Sequence, residues 1–471
     1  MVVILPAFAQ AQPEGIDVVQ LSYLAWLESQ ENTRFDKYAM FRDYYEGEHD
    51  TALTKRTRKY LELSSEQEFS FNFCPIIVDA LAEKLKIANF DCGTDKTLSD
   101  QVAEWWKFNR MDAQQGVVHT SAVRDGDTYI LVEWDNESGM PLLTHEKAYD
   151  SVSQQGMHII YSDERRMLPV VAVKRWTITS GVNIKTRRTN FYYPNRIEKY
   201  SDEGTGNTWQ HYVEEGEEWP IPWTDTGRIG GKPLGIPAVH FRNKDQGYSY
   251  GESELEDVIP LANASNKVFI DLLGAADSTG FQMYTASGYD GSGRTVAPGV
   301  FLWSENPETK FGVLPPASLA ALIELHDKIT ADAAKLTRTP LSFFQLTGQV
   351  AAAGTLKEQR AGLISKALDR QTTFGNSWED AIAIARRLHN VWGTGKLDEA
   401  TRVSTVWVDD EKPDPKALAD EVAAATQAGA MSTDTKVRRL HPDWDEDKIA
   451  AEVKLIRDEM GMAVPDIGPV A

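Results

Sequence analysis

The stretch from Gly251 to about Asn390 constrains the fold more than any other part of the chain. Two amphipathic helical patterns, at 251–280 and 319–340, flank a short segment that is rich in glycine and aromatic residues. A connecting segment and a longer helical pattern, from 355 to about 390, follow. At about 1.5 Å per residue this last helix would be roughly 55 Å long. Two rods around a small β unit make an unusual enzyme core, but they suit the wall of a ring or tube.

The rest of the chain predicts an α+β fold that is mainly helical. Residues 1–17 predict an arm that packs on a neighbour, because the apolar run has no preceding Lys or Arg and contains Pro6. Residues 18–250 combine helices with a β region from Leu142 to about Phe241, where Gly, Asn, Asp and Pro separate short apolar runs. A strand, RVSTVWVDD, follows the long helix, and 410–471 predicts a helical tail.

Two segments between the predicted rods are candidates for function. The insert at 281–318 has short β-like runs and is too small to bury a core by itself, so it should be completed by neighbouring surfaces. The loop at 341–354 places apolar side chains among Gln and Gly. A buried helix–helix connection is one interpretation of this loop. Its length exceeds that of most such connections, which favours a functional loop.

Charge limits the classes of partner. Lys and Arg number 49 against 70 Asp and Glu, a net charge of −21. This acidity argues against a protein that grips nucleic acid through its phosphates, but it allows DNA to pass without being held. Solubility alone would also explain it. Cys74 and Cys92 cannot form a disulfide framework, which fits a reducing compartment, and Cys74 is expected to be buried.

The sequence contains no recognisable enzyme signature. It lacks a phosphate-binding GxxxxGK[ST] loop, a GxSxG nucleophile motif and an HExxH zinc motif. Asp409, Asp410 and Glu411 could be a divalent-metal cluster, but three consecutive acids at a strand end are more often a solvated turn. We therefore expect no catalytic residue, no metal and no cofactor. No apolar stretch approaches the ~18 residues of a membrane span, so no membrane partner is expected either.

Several segments, in their order and spacing, resemble tailed-bacteriophage portal proteins of the siphophage type, the head-to-tail connector ring. They are FRDYYEGEHD, FNFCPIIVDALAEKL, YGESELEDVIPLANASNK, TPLSFFQLTGQVAAAGTLKEQRAGLISKA and TTFGNSWEDA. The resemblance covers nearly the whole chain. It implies a dodecameric ring at one capsid vertex through which double-stranded DNA is packaged and ejected.

The resemblance also implies a division of the subunit. Residues 18–250 would form a wing together with 355–409, the long helix and its return strand. The helices at 251–280 and 319–340 would form the stem, 281–318 the clip, 341–354 the tunnel loop and 410–471 the crown. The implied partners are the terminase large subunit, a head–tail adaptor, scaffold and major capsid protein. The protein would be assembled in the host cytoplasm and reside in the virion.

Candidate site residues follow from this division. The tunnel loop contributes Phe343, Phe344, Gln345, Leu346, Thr347, Gln349 and Val350. The candidates for lining the channel in the stem are Glu254, Asp257, Lys267, Asp271, Lys328 and Lys335. The clip residues expected to act in assembly or motor docking are Tyr284, Arg294, Phe301, Leu302 and Trp303. The alternatives are another head–tail structural protein, such as an adaptor or minor capsid protein, and, less favoured, a packaging ATPase or nuclease.

Overall fold

The computed structural model divides the chain into two compact units, Met1–Trp407 and Val408–Ala471. The structure describes residues 34–49, 70–150, 155–162, 168–180, 184–202, 209–213, 216–228, 230–247, 249–280, 284–288, 306–313, 319–344, 353–408, 415–441 and 446–459.

Seven helices of the first unit lie within the described residues. Helix α1 occupies 34–46, and the others are α2 (Cys74–Ala82), α3 (Lys96–Phe108), α4 (Met111–Asp125), α5 (Ile259–Gly280), α6 (Leu319–Thr337) and α7 (Ala353–Trp392). Helix α7, with 40 residues, is the longest of them. The three helices predicted between 251 and 390 are therefore present.

All strand pairs in the described residues are antiparallel. The strands are β1 (Ile87–Asp91), β2 (Asp127–Asp135), β3 (Met140–Lys147), β4 (Gly156–Tyr161), β5 (Pro169–Ser180), β6 (Ile184–Tyr192), β7 (Arg196–Ser201), β8 (Gln210–His211), β9 (Ile221–Pro222), β10 (Ala238–Arg242), β11 (Tyr284–Ser287), β12 (Lys310–Val313) and β13 (Ser404–Trp407). A three-stranded sheet has the order β10-β2-β3, and a larger sheet the order β4-β5-β6-β7-β8, with β9 also on β7. Two further pairs are β1-β13 and β11-β12. Together with the helices this confirms the α+β class.

The core of the first unit forms where α7 packs on the three-stranded sheet. Trp378 is fully buried, and its ring lies 4.9 Å, edge to face, from that of Phe241 on β10. Trp378 Nε1 donates to His119 Nε2 at 2.9 Å, so His119 Nδ1 carries the proton that Leu85 O accepts. Burial lowers the pKa of His119 to about 4, which keeps the ring neutral. As expected, Cys74 is buried.

The segment 251–258, which connects the sheet to α5, is not part of the helix and is held by a hydrogen bond to Asp127. Asp127, at the start of β2, is completely buried, and one of its carboxylate oxygens accepts from the backbone N–H of Gly251 at 2.7 Å. A Cβ atom at Gly251 would lie 2.2 Å from the carbonyl oxygen of Gly126, so only glycine fits there. Helix α5 consequently begins at Ile259, eight residues later than the sequence pattern predicts. The tertiary hydrogen bonds outweigh the helical pattern of 251–258.

Four donors converge on the Asp127 carboxylate. Besides Gly251 N, they are Arg34 Nη2 at 2.7 Å, Tyr38 OH at 2.8 Å and His240 Nε2 at 2.8 Å. Burial lowers the pKa of His240, so the ring is neutral and accepts at Nδ1 from Tyr161 OH. Burial alone would raise the pKa of Asp127, but the bonds from His240, Arg34 and Gly251 outweigh it and lower the pKa.

The second unit contains three helices in its described part. They are α8 (Pro415–Gln427), α9 (Thr433–Leu440) and α10 (Glu446–Glu459). Val437 of α9 packs with Ile449 and Val453 of α10 in a small apolar cluster. Ser432 caps α9 by accepting from Thr435 N. These helices agree with the helical tail expected from the sequence.

Replacement of Trp378 by alanine should lower the free energy of unfolding by about 3–5 kcal/mol, because it empties the centre of the core. Urea denaturation followed by circular dichroism measures this change. Leu368→Ala is the matched control, since Leu368 lies on the same helix and is 57% exposed. The control should change the stability by no more than about 0.5 kcal/mol. Equal effects of the two substitutions would contradict this description of the core.

Asp127→Asn should lower the free energy of unfolding at pH 7 by about 3 kcal/mol or more, because donors aimed at a carboxylate would face a neutral amide. Since the folded pKa of Asp127 lies below 3.8, its contribution is present above that pH and is lost as the pH falls further. Denaturation at a series of pH values should therefore show a weaker loss at acid pH in the variant. Asp271→Asn, at an exposed carboxylate, should leave the profile unchanged.

Candidate functional site

The two helices predicted as the stem, α5 and α6, pack against each other. Phe269 of α5 lies 6.0 Å, ring to ring, from His326 of α6. Phe71 stacks on Phe269 at 5.7 Å and meets His326 edge-on at 5.1 Å. This aromatic cluster fastens both helices to the segment that precedes α2, so the helix pair is anchored to the body of the subunit.

The lysines predicted for the stem are exposed and paired with acids of their own helices. Lys267 Nζ lies 3.7 Å from Asp271 Oδ2 on α5. On α6, Lys328 Nζ and Lys335 Nζ lie 3.8 and 3.6 Å from the carboxylate of Asp332. Exposed pairs of this kind add little to stability, but they reduce the positive charge that a phosphate would meet. Each of the three lysines that were predicted to line the channel therefore lies beside a carboxylate that offsets its charge.

Asp257 and Asp271 are exposed, whereas Glu254 is not, and the expectation that Glu254 lines a channel was wrong. Its side chain is 4% exposed and lies 2.8 Å from Lys366 Nζ and 3.3 Å from Arg370 Nη2. Burial would raise the pKa of Glu254, but Lys366, Lys244 and Arg370 outweigh it and lower the pKa. Both close partners lie on α7, more than a hundred residues away, so sequence spacing gave no sign of them.

The predicted tunnel loop, 341–354, is described at its first four residues and at its last two, which belong to α7 rather than to a loop. Leu341–Phe343 form a single 3₁₀ turn after Pro340. Phe343 is 43% exposed, whereas Phe344 is half-buried and meets the ring of Phe73 at 6.0 Å. Phe344 thus packs the start of the loop against the core while its side chain stays partly exposed. The remaining candidates lie outside the described residues: Gln345, Leu346, Thr347, Gln349 and Val350.

The predicted clip contains a short β-ribbon. Strands β11 and β12 pair in the register Tyr284–Val313 to Ser287–Lys310, which places the predicted residue Tyr284 at the end of the ribbon. Phe311, on β12, is 42% exposed. The other predicted clip residues lie outside the described part of the chain: Arg294, Phe301, Leu302 and Trp303.

The described residues offer neither a metal site nor a membrane-spanning helix. Within those ranges, no three His, Cys, Asp or Glu side chains come together in a way that could hold a metal ion. None of the described helices combines the length and hydropathy needed to cross a membrane.

Portal proteins of two Mycobacterium phages are similar in sequence to this chain. The chain is 23% identical over 368 residues to the portal protein of Mycobacterium phage D29, an alignment that covers 73% of this chain and 70% of the relative. It is 20% identical over 407 residues to the portal protein of Mycobacterium phage L5, covering 81% and 79%. Both relatives carry the name that the sequence resemblance suggests.

Solved structures give weaker matches. The virion of a native gene transfer agent particle matches with 13% identity and a TM-score of 0.42, covering 78% of this chain and 88% of the other. The neck of the native particle, computed with C12 symmetry, matches with 13% identity and a TM-score of 0.42, covering 81% and 89%. TM-scores this low do not establish a shared architecture.

A model of the family described as phage portal protein, SPP1 Gp6-like, matches residues 24–466. This range includes the helices α5, α6 and α7, the β11–β12 ribbon and the described helices of the second unit. The resemblance to portal proteins is thereby confirmed, and the chain belongs to the SPP1 Gp6-like family of phage portal proteins.

Proposed function

We propose that the chain is the subunit of a dodecameric portal ring, which sits at one capsid vertex and conducts double-stranded DNA during packaging and ejection. The observation that carries this proposal is the family match over residues 24–466, which includes residues of both compact units. The order of helix, β-ribbon, helix, connecting segment and long helix supports it.

The proposed division of the subunit follows the observed elements. The pair α5 and α6 is the stem, and 281–318 with the β11–β12 ribbon is the clip. The tunnel loop, predicted at 341–354, follows α6 and ends in the first two residues of α7. Helix α7 is the spine of the wing. The unit Val408–Ala471 corresponds to the crown. The short ribbon, with Phe311 exposed, suits a surface that is completed by neighbouring clips in a closed ring.

The charge pattern of the stem suits a conduit. DNA that must slide cannot be held by many unopposed cations, because each neutralised phosphate adds to affinity. The three stem lysines face Asp271 and Asp332 on their own helices. The whole chain carries a net charge of −21. Both features would keep the channel wall from gripping the duplex.

The proposed partners are those that the resemblance to portal proteins implies. The clip would dock the terminase large subunit during packaging and the head–tail adaptor afterwards, while scaffold and major capsid protein would meet the outside of the ring. Assembly would take place in the host cytoplasm, and the ring would then remain in the virion. The protein would itself carry out no catalysis, so that the energy for DNA translocation comes from the terminase.

Asp332→Asn should strengthen binding of the purified protein to a DNA duplex, because it leaves Lys328 and Lys335 without their carboxylate. If both lysines reach phosphates, the slope of log K against log salt should steepen by about 0.9 for each added contact. Fluorescence anisotropy with a labelled duplex at several salt concentrations measures both quantities. Asp434→Asn, which removes the partner of Arg438 in the second unit, is the matched control. No change in the Asp332 variant would count against DNA contact with α6.

Replacement of residues 345–350 by a Gly-Ser linker of equal length should leave the ring intact and reduce the DNA held by assembled particles to a small fraction of the wild-type amount. The reason is that Phe344 and α7, which anchor the two ends of this segment, remain unchanged. Counting DNA-filled particles by electron microscopy gives the readout. Leu168→Ser, at an exposed apolar residue far from the segment in sequence, serves as the control. Normal DNA retention, or loss of the ring, would contradict the assignment of the loop.

A further inference from the structure

One buried ammonium group touches both places where the stem helices join the body of the subunit. Lys366, on α7, has a side chain that is 8% exposed. Its Nζ donates to the carbonyl oxygen of Thr337, the last residue of α6, at 3.0 Å. The same Nζ lies 2.8 Å from Glu254 Oε2, in the segment that enters α5. Lys366 therefore links the entry to the first stem helix with the end of the second.

Arg370, one turn further along α7, ties the same entry segment to the sheet. Its Nη2 lies 3.3 Å from Glu254 Oε1, and its Nε donates to Asn243 Oδ1 at 2.6 Å. Asn243 follows β10 directly, and its side-chain amide donates to Glu252 O at 2.7 Å. Because residues four apart lie on one helix face, Lys366 and Arg370 both contact Glu254, where the chain enters α5.

Burial and the negative charge of its two partners strengthen the contacts of Lys366. The carbonyl groups at a helix C-terminus carry partial negative charge, so the ammonium complements the end of α6 as well as the Glu254 carboxylate. Since all these groups are buried, water cannot readily replace either contact. Glu254 would keep Arg370 and Asn243 if Lys366 were removed, whereas the Thr337 carbonyl would lose the Lys366 donor.

We propose that Lys366 is a positioning residue that fixes the direction in which α5 and α6 leave the subunit, and with it the span bridged by the predicted tunnel loop. The segment between Thr337 and Ala353 connects the end of α6 to the start of α7, and Lys366 holds those two helices at a set spacing. A tilt of the stem pair would therefore move the end of α6 relative to α7. The functional meaning rests on the proposed portal role, in which stem tilt sets the bore of the channel.

The test measures the rigidity of the stem against α7. Lys267→Cys on α5 and Leu368→Cys on α7 place spin labels at side chains that are 79% and 57% exposed. The native thiols of Cys74 and Cys92 are buried and have raised pKa values, so the introduced cysteines should be labelled selectively. Labelled subunits are diluted with unlabelled protein, and double electron–electron resonance gives the distribution of the distance between the two labels within one subunit.

In the Lys366→Met background this distribution should become about twofold broader than in the otherwise native protein, as expected when a fixed joint becomes a hinge. Arg360→Met, which removes an exposed cation from the same helix, should leave the width unchanged. Glu254→Gln keeps the Lys366 bond to Thr337 and should give an intermediate width. It is the second variant should Lys366→Met fail to fold.

A folded Lys366→Met or Glu254→Gln protein with the native width would overturn the proposal, and so would equal broadening by Arg360→Met. The measurement needs neither a ring nor DNA. A chain that never forms rings but shows the broadening would refute the portal role while leaving the role of Lys366 intact.

Discussion

The structure depends on the burial of one face of α7. Trp378 and Phe374 fill the space beneath the three-stranded sheet, and both rings pack against Phe241. The same helix carries Lys366 and Arg370, which hold the junction between the sheet and the stem helices. A helix that is held by the packing of Phe374 and Trp378 can also keep charged groups in place on the turns that precede them. The apolar core and the polar junction are therefore parts of one rigid element.

Charged residues have different roles at the root of the stem, the segment 251–258 with its partners, and along the stem helices α5 and α6. At the root, carboxylates and cations are buried and hydrogen-bonded, as with Asp127 and Glu254, so each contact fixes the path of the chain. Along α5 and α6, the pairs involving Asp271 and Asp332 are exposed and contribute little to stability. Their consequence is electrostatic, since they leave few unopposed cations on the surface. Rigid attachment and a weakly interacting wall together suit a conduit.

Periodicity predicted the elements that bury one continuous apolar face. It located α5, α6 and α7, because helical spacing records which face is buried. The burial of Cys74 was predicted from the apolar run around it and is confirmed. Periodicity misplaced the start of α5, since the bond from Gly251 to Asp127 connects residues 124 positions apart. The assignment of Glu254 to a channel failed in the same way. The acidic residues around it are visible in the local sequence, whereas its partners Lys366 and Arg370 lie on α7. Phe343 and Phe344 are adjacent and identical in type, but Phe344 packs against Phe73 whereas Phe343 is exposed.

In the proposed function, copies of this chain form a ring with a passage for DNA. The most direct measurement is native mass determination of the purified protein, combined with electron microscopy of the same sample. We expect a closed ring of about a dozen subunits around a central hole, because repeated heterologous contacts form a ring when the rotation between subunits closes. The ring assignment would be wrong if the protein stayed monomeric or dimeric at every concentration and also formed no ring in particles assembled with scaffold and capsid protein.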